Sequence, residues 1–142
     1  YIMKEFKIYL CGGMSGLSMR KQNQWREDCK KWLLSQECNY NITVVNPCDY
    51  FSFFEKRHQS EKEIMNYDLN HVRTSNLLLT YFNVPNSIGS AIEMYLAKEL
   101  HIPVIGISCG KEVHPWILEC VDRMFSNKEN ALEYIKDFYL LE

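Results

Sequence analysis

The sequence predicts an α/β domain: a parallel sheet of four to five strands in the order 2-1-3-4-5, with helices on both faces. Three observations carry this. Short runs that are apolar nearly throughout recur at residues 7–11, 77–82 and 103–107, as strands covered on both faces do. Segments of helical period lie between them. Glycine, proline and asparagine stand where one kind of segment gives way to the other. A length of 142 residues fits one domain over 1–142, long enough to bury a core without staples.

Residues 7–11, KIYLC, stop at Gly12-Gly13 and read as a buried strand followed by a glycine loop. Residues 18–36 predict a helix, with Trp25, Cys29, Trp32 and Leu33 at i, i+4, i+7 and i+8. Residues 42–45, ITVV, end at Asn46-Pro47 and predict the second strand. Residues 47–60 have no clear period and mix aromatic with polar side chains: Tyr50, Phe51, Phe53, Phe54 and His58. A long loop of this kind often serves as a lid.

Residues 61–73 predict a helix with Ile64, Leu69 and Val72 apolar, and Ser60 as N-cap opposite Glu63. Residues 77–82 are the third strand. After Pro85-Asn86-Ser87 a helix runs over 87–100, its apolar stripe being Ile88, Ala91, Ile92, Tyr95 and Leu96. Residues 103–107 are the fourth strand. Helices follow over 115–124 and 128–141, with a short fifth strand near 123–125. Alternation of this kind implies a parallel sheet with right-handed crossovers, and the flavodoxin-like order fits five strands.

Composition removes several classes of function. Net charge is −2 and no basic stretch is dense, so a nucleic-acid polymer is not an expected partner. Lys30-Lys31 and Lys56-Arg57-His58 read as solvated surface. No run approaches the ~20 apolar residues of a membrane span, and no signal peptide is expected. Six cysteines without a CxxC pair read as thiols in a reducing compartment, hence a cytoplasmic location. The histidines at 58, 71, 101 and 114 lack ligand spacing, so no metal is expected. No cofactor is expected either.

In an open parallel sheet, ligands bind beyond the carboxyl ends of the strands at the switch point, here between strands one and three. The loops there are Cys11-Gly12-Gly13-Met14-Ser15-Gly16-Leu17-Ser18 and Asn83-Val84-Pro85-Asn86-Ser87-Ile88-Gly89-Ser90. Both lead into helices, whose starts favour an anion. Neither GxGxxG nor the P-loop pattern is present, and taken alone the glycines read equally as turn residues. Glu93 lies about one and a half turns into the third helix, at the edge of its apolar stripe. The nearby helix start is expected to favour its ionised form, which suits a nucleophile. The plainer reading is a surface glutamate.

Four segments together carry a resemblance: KIYLCGGMSG, NYDLNHVRTSNLLLTYF, PNSIGSAIEMYLA and IPVIGI. Over roughly residues 7–107 the chain resembles the nucleoside 2-deoxyribosyltransferase family, which includes 2′-deoxynucleoside 5′-phosphate N-hydrolases. The resemblance implies a flavodoxin-like domain and a covalent route with retention at the anomeric carbon. Glu93 would be the nucleophile, forming a glycosyl ester that water or a second base resolves. Asp68 would protonate the leaving base or activate the incoming one. Tyr9 would orient the nucleophile. Gly12, Gly13, Met14, Ser15, Gly16, Gly89 and Ser90 would line the sugar or its 5′ end, and Asn46 would lie near the base.

Family members that act on free nucleosides commonly carry aspartate where this chain has Ser87. A phosphate beside a carboxylate is repelled, whereas a serine hydroxyl accepts one. Ser87 therefore tilts the expected substrate toward a nucleoside 5′-monophosphate. Asn76, where the family often has aspartate, reads as structural. The resemblance also implies a homodimer or larger assembly whose neighbour completes each pocket. Other readings are a glycohydrolase of NAD or a signalling nucleotide, a non-catalytic nucleotide-binding module, and an FMN protein. The first loop lacks the hydroxyl-rich character that FMN requires.

Overall fold

The structure, a computed structural model, describes residues 2–14, 16–50 and 60–141. Ser15, Phe51, Phe53, Phe54 and His58 lie outside the described residues. The strands are β1 (Lys4–Gly12), β2 (Tyr40–Val45), β3 (Leu77–Tyr81), β4 (Val104–Ile107) and β5 (Arg123–Phe125). They pair in parallel in the order β2-β1-β3-β4-β5, the order the sequence predicts. The helices are α1 (Met19–Leu34), α2 (Glu61–Arg73), α3 (Ile88–Glu99), α4 (Pro115–Leu118) and α5 (Lys128–Tyr134). A single 3-10 turn, Pro47–Asp49, follows β2.

Side chains alternate along a strand, and β1 divides the core by that rule. Ile8 and Leu10 face Trp25, Cys29 and Leu33 of α1 and Ala131 and Leu132 of α5. Tyr9 and Cys11 face the other way, toward Val72 of α2 and Met94 and Ala97 of α3. The register sets Tyr9 beside Val45 and Leu78, and Cys11 beside Thr80. Two polar groups thus stand toward the carboxyl end of β1, on the side of α2 and α3.

Local chemistry fixes where these helices begin. The Ser60 hydroxyl accepts from the Glu63 N–H at 3.3 Å while the Glu63 carboxylate accepts from the Ser60 N–H at 3.0 Å, so both halves of a capping box are made. The Ser87 hydroxyl accepts from the Ser90 N–H at 3.3 Å and starts α3.

Three expectations are corrected. The apolar stripe expected on α3 packs only in part: Leu96 lies against the core, whereas Ile88 is 78% exposed, Tyr95 56% and Ile92 40%. The inward face is Ser90, Met94 and Ala97, because small residues let the helix approach the strands closely. The helix expected over 115–124 ends at Leu118. The Asp122 carboxylate accepts from the Val104 N–H at 2.8 Å, and the chain then enters β5. The last helix gives way after Tyr134 to a wide π-type turn over Ile135–Tyr139. No helix among the described residues is long and apolar enough to cross a membrane.

Candidate active site

The inward face of α3 has one ionisable member. Glu93 shares the i, i+3, i+4, i+7 stripe of Ser90, Met94 and Ala97, so its side chain turns toward β1 rather than to open water. There the Tyr9 hydroxyl donates to Glu93 Oε2. The Cys11 thiol donates toward Oε1 at 3.5 Å. Each carboxylate oxygen therefore meets one donor from the same face of β1. Asp68, on α2, opens onto the same cavity. It accepts a hydrogen bond from the Tyr50 hydroxyl at 2.7 Å on Oδ1.

Enclosure governs the protonation of this group. Burial pushes the Glu93 carboxyl up to about 7; the nearby Asp68 charge adds to the rise, and the Tyr9 and Cys11 hydrogen bonds and Arg26 oppose it. Asp68 is raised to about 6, again chiefly by burial, against the Tyr50 hydrogen bond and Arg26. Two like charges near one another hold a shared proton near neutral pH. Tyr9 is raised well above its ordinary value, first by burial and then by Glu93 and Asp68, so it stays a phenol and a donor. The expectation that the helix start would favour ionised Glu93 is thus corrected. The dipole fades within the first turn, and the cost of burying a charge exceeds it.

The cavity has a volume of about 480 Å³, the size of a small-molecule site. Gly12 and Met14 line it from the β1 loop, Asp68 from α2, and Ser87, Gly89, Ser90 and Glu93 from the start of α3. Tyr9 lies beneath, bonded to Glu93. Three expected residues are not among those lining it. Gly13 is buried behind the loop. Its N–H donates to Asn83 Oδ1 at 3.3 Å, and a Cβ there would lie 2.6 Å from that of Val84. Gly16 is an exposed turn residue with φ of 77°, a conformation that favours glycine. Asn46 turns toward α1: its amide donates to Asn23 Oδ1 at 2.8 Å and Glu27 Oε1 at 2.9 Å. Its carbonyl caps the 3-10 turn by accepting from the Cys48 N–H. A buried amide must satisfy its polar atoms, and these bonds do so away from the cavity.

Sequence reasoning missed Cys11, the donor to Glu93 Oε1, and two further residues. Arg26 is only 1% exposed. Its guanidinium donates to the Gln22 carbonyl and to the Gly12 carbonyl at 2.9 Å, clamping the end of β1 and placing a positive charge behind both carboxylates. An arginine beside Trp25 and three residues before Cys29, on the apolar face of α1, was the available signal. Tyr50 was read only as part of the loop.

The family model for nucleoside 2-deoxyribosyltransferase-like proteins matches residues 5–110. No curated protein matches the sequence. Among solved structures, a conserved protein from Enterococcus faecalis V583 aligns at TM-score 0.74 and 19% identity, over 94% of this chain and 98% of its own. A 2-deoxyribosyltransferase from Bacillus psychrosaccharolyticus aligns at 0.70 and 20% identity, over 90% and 91%. A CMP N-glycosidase from Clostridium botulinum aligns at 0.57 and 14% identity, over 93% and 99%. These likenesses show a shared fold. The family match covers most of the chain and contains Tyr9, Asp68 and Glu93, and the chain belongs to the nucleoside 2-deoxyribosyltransferase-like family.

Proposed function

We propose that this protein cleaves or transfers at the N-glycosidic bond of a (2′-deoxy)nucleoside or its 5′-monophosphate, with Glu93 as nucleophile. The observation that carries the reading is a carboxylate with a donor on each oxygen, set against a second carboxyl in one cavity. Ionised Glu93 attacks the anomeric carbon. The base departs with the bonding electrons and takes the Asp68 proton. A glycosyl ester to Glu93 remains. Water, deprotonated by Asp68, or a second base then displaces Glu93. Two inversions give net retention. The pair works with one proton, on Asp68 while Glu93 attacks; because Glu93 at about 7 holds a proton more tightly than Asp68 at about 6, the reactive arrangement is the minor one of the two near neutral pH.

Ser87, Gly89 and Ser90 line the cavity at the start of α3, and a helix start favours an anion. That supports a monophosphate over a free nucleoside. The exposed Ile88, Ile92 and Tyr95 support a homo-oligomer, because Ile92 also lines the cavity. A second copy covering this face would border the substrate. Six free cysteines are consistent with a reducing, cytoplasmic setting.

The test is incubation with dGMP, dCMP, dAMP, the matching nucleosides and NAD, following free base by chromatography. Base from monophosphates supports the reading, and exchange only with an added base marks a transferase. Nicotinamide release from NAD alone would replace it with the glycohydrolase reading. No base from any substrate, or full activity in Glu93→Ala, removes the mechanism.

A further inference from the structure

Tyr50 follows the 3-10 turn after β2. Its ring stacks on His71 at 5.4 Å and 26°, and meets the Tyr67 ring edge-on at 4.8 Å and 61°. Two aromatic contacts to α2 leave the ring little freedom to turn. The hydroxyl they hold points at Asp68, with 2.7 Å between oxygens. The Tyr9 phenol lies close enough to act on the same group, with its own proton given to Glu93. Glu93 with Tyr9 and Asp68 with Tyr50 are therefore two neighbouring carboxyl–phenol pairs, drawn from α3 and β1 and from α2 and the turn after β2.

We propose that Tyr50 is a positioning residue, which fixes the Asp68 carboxyl toward the cavity. Asp68 lines the cavity and Tyr50 is not among the described residues that do; Tyr50 acts on that cavity through its bond to Asp68. This rests on the reading of Asp68 as the acid and Glu93 as the nucleophile. A phenol donating to one carboxylate oxygen stabilises the anion and leaves the other oxygen to carry the proton toward the base. The groups acting on Asp68 are Tyr50 from the turn, Arg26 from α1, Tyr9 from β1 and Glu93 from α3. Glu61 and Lys62 line the cavity from the start of its own helix.

Tyr50→Phe keeps the ring and its contacts and removes only the hydroxyl. Carbon-13 NMR of labelled aspartate carboxyls in the free protein follows Asp68 without any substrate. Asp68 is expected to titrate higher in the variant, by roughly half a unit to one unit. In turnover, kcat is expected to fall about tenfold or more with KM within about twofold. The alkaline limb of the kcat profile should move up with Asp68. An unmoved Asp68 titration overturns the proposal, whatever the activity. So does a risen KM with kcat and the pH profile unchanged, since that marks a substrate contact. If the parent protein releases no base, the glycosidic reading fails while the NMR titration still decides whether Tyr50 holds Asp68.

Discussion

Glu93 is surrounded by donors and still titrates near neutrality, because enclosure costs its anion more than Tyr9 and Cys11 return. That has a consequence for stability. Its carboxyl moves from an ordinary 4.5 to about 7 on folding. Between those values the folded protein holds a proton that the unfolded chain has released. Stability therefore falls as pH rises through that window. Glu93→Gln removes the penalty. Urea unfolding should find the variant more stable than the parent at pH 8, by on the order of 1–3 kcal/mol, and level with it at pH 4. An equal difference at both pH values would mean that packing, not charge, sets the effect. For activity, Tyr9→Phe takes a donor from Glu93 Oε2. Turnover should drop about 10- to 100-fold, and the acidic limb of the pH–rate profile should shift up. An unshifted limb would show that Tyr9 does not hold the nucleophile.

The element that gathers the site is α3, and its start offers a separate test. Ser87 caps the helix by accepting from the Ser90 N–H. Aspartate caps equally well, so Ser87→Asp should leave the fold intact while setting a carboxylate at the expected phosphate position. The kcat/KM ratio of monophosphate to nucleoside should fall about tenfold or more. A ratio that does not change would remove Ser87 from substrate choice. The same helix shows where sequence reading succeeds and fails. Its extent follows from Ser87 and the turn before it, just as that of α2 follows from the Ser60–Glu63 box. Its facing does not. Ranking by hydrophobicity turns Ile88, Ile92 and Tyr95 inward, whereas the sheet accepts Ser90, Met94 and Ala97, with a carboxylate among them. Burial of Glu93 and of Arg26 depends on partners in β1 and its loop, far away in sequence, and no periodicity encodes them.

At the scale of the whole molecule, strand order was legible because apolar strands, helical crossovers and chain length leave few arrangements. The site's place at the carboxyl ends of β1 and β3 followed from that order. The one-sided helices that end the chain were less legible, since β5 has only three residues and interrupts them. The exposed face of α3, with Trp116 81% exposed on α4 beside it, carries the prediction at this scale. Light scattering should show a dimer or larger species, and Ile88→Asp with Tyr95→Asp should yield a monomer of reduced activity. A parent protein that is monomeric at micromolar concentration would contradict it.

The covalent step is the center of the proposed mechanism, and mass spectrometry reads it directly. The protein is mixed with a cleavable nucleoside 5′-monophosphate, quenched in acid and digested. The account predicts a sugar-phosphate ester on the peptide that contains Glu93, absent in Glu93→Gln. Base release without an adduct, at an undiminished rate in Glu93→Gln, would contradict it.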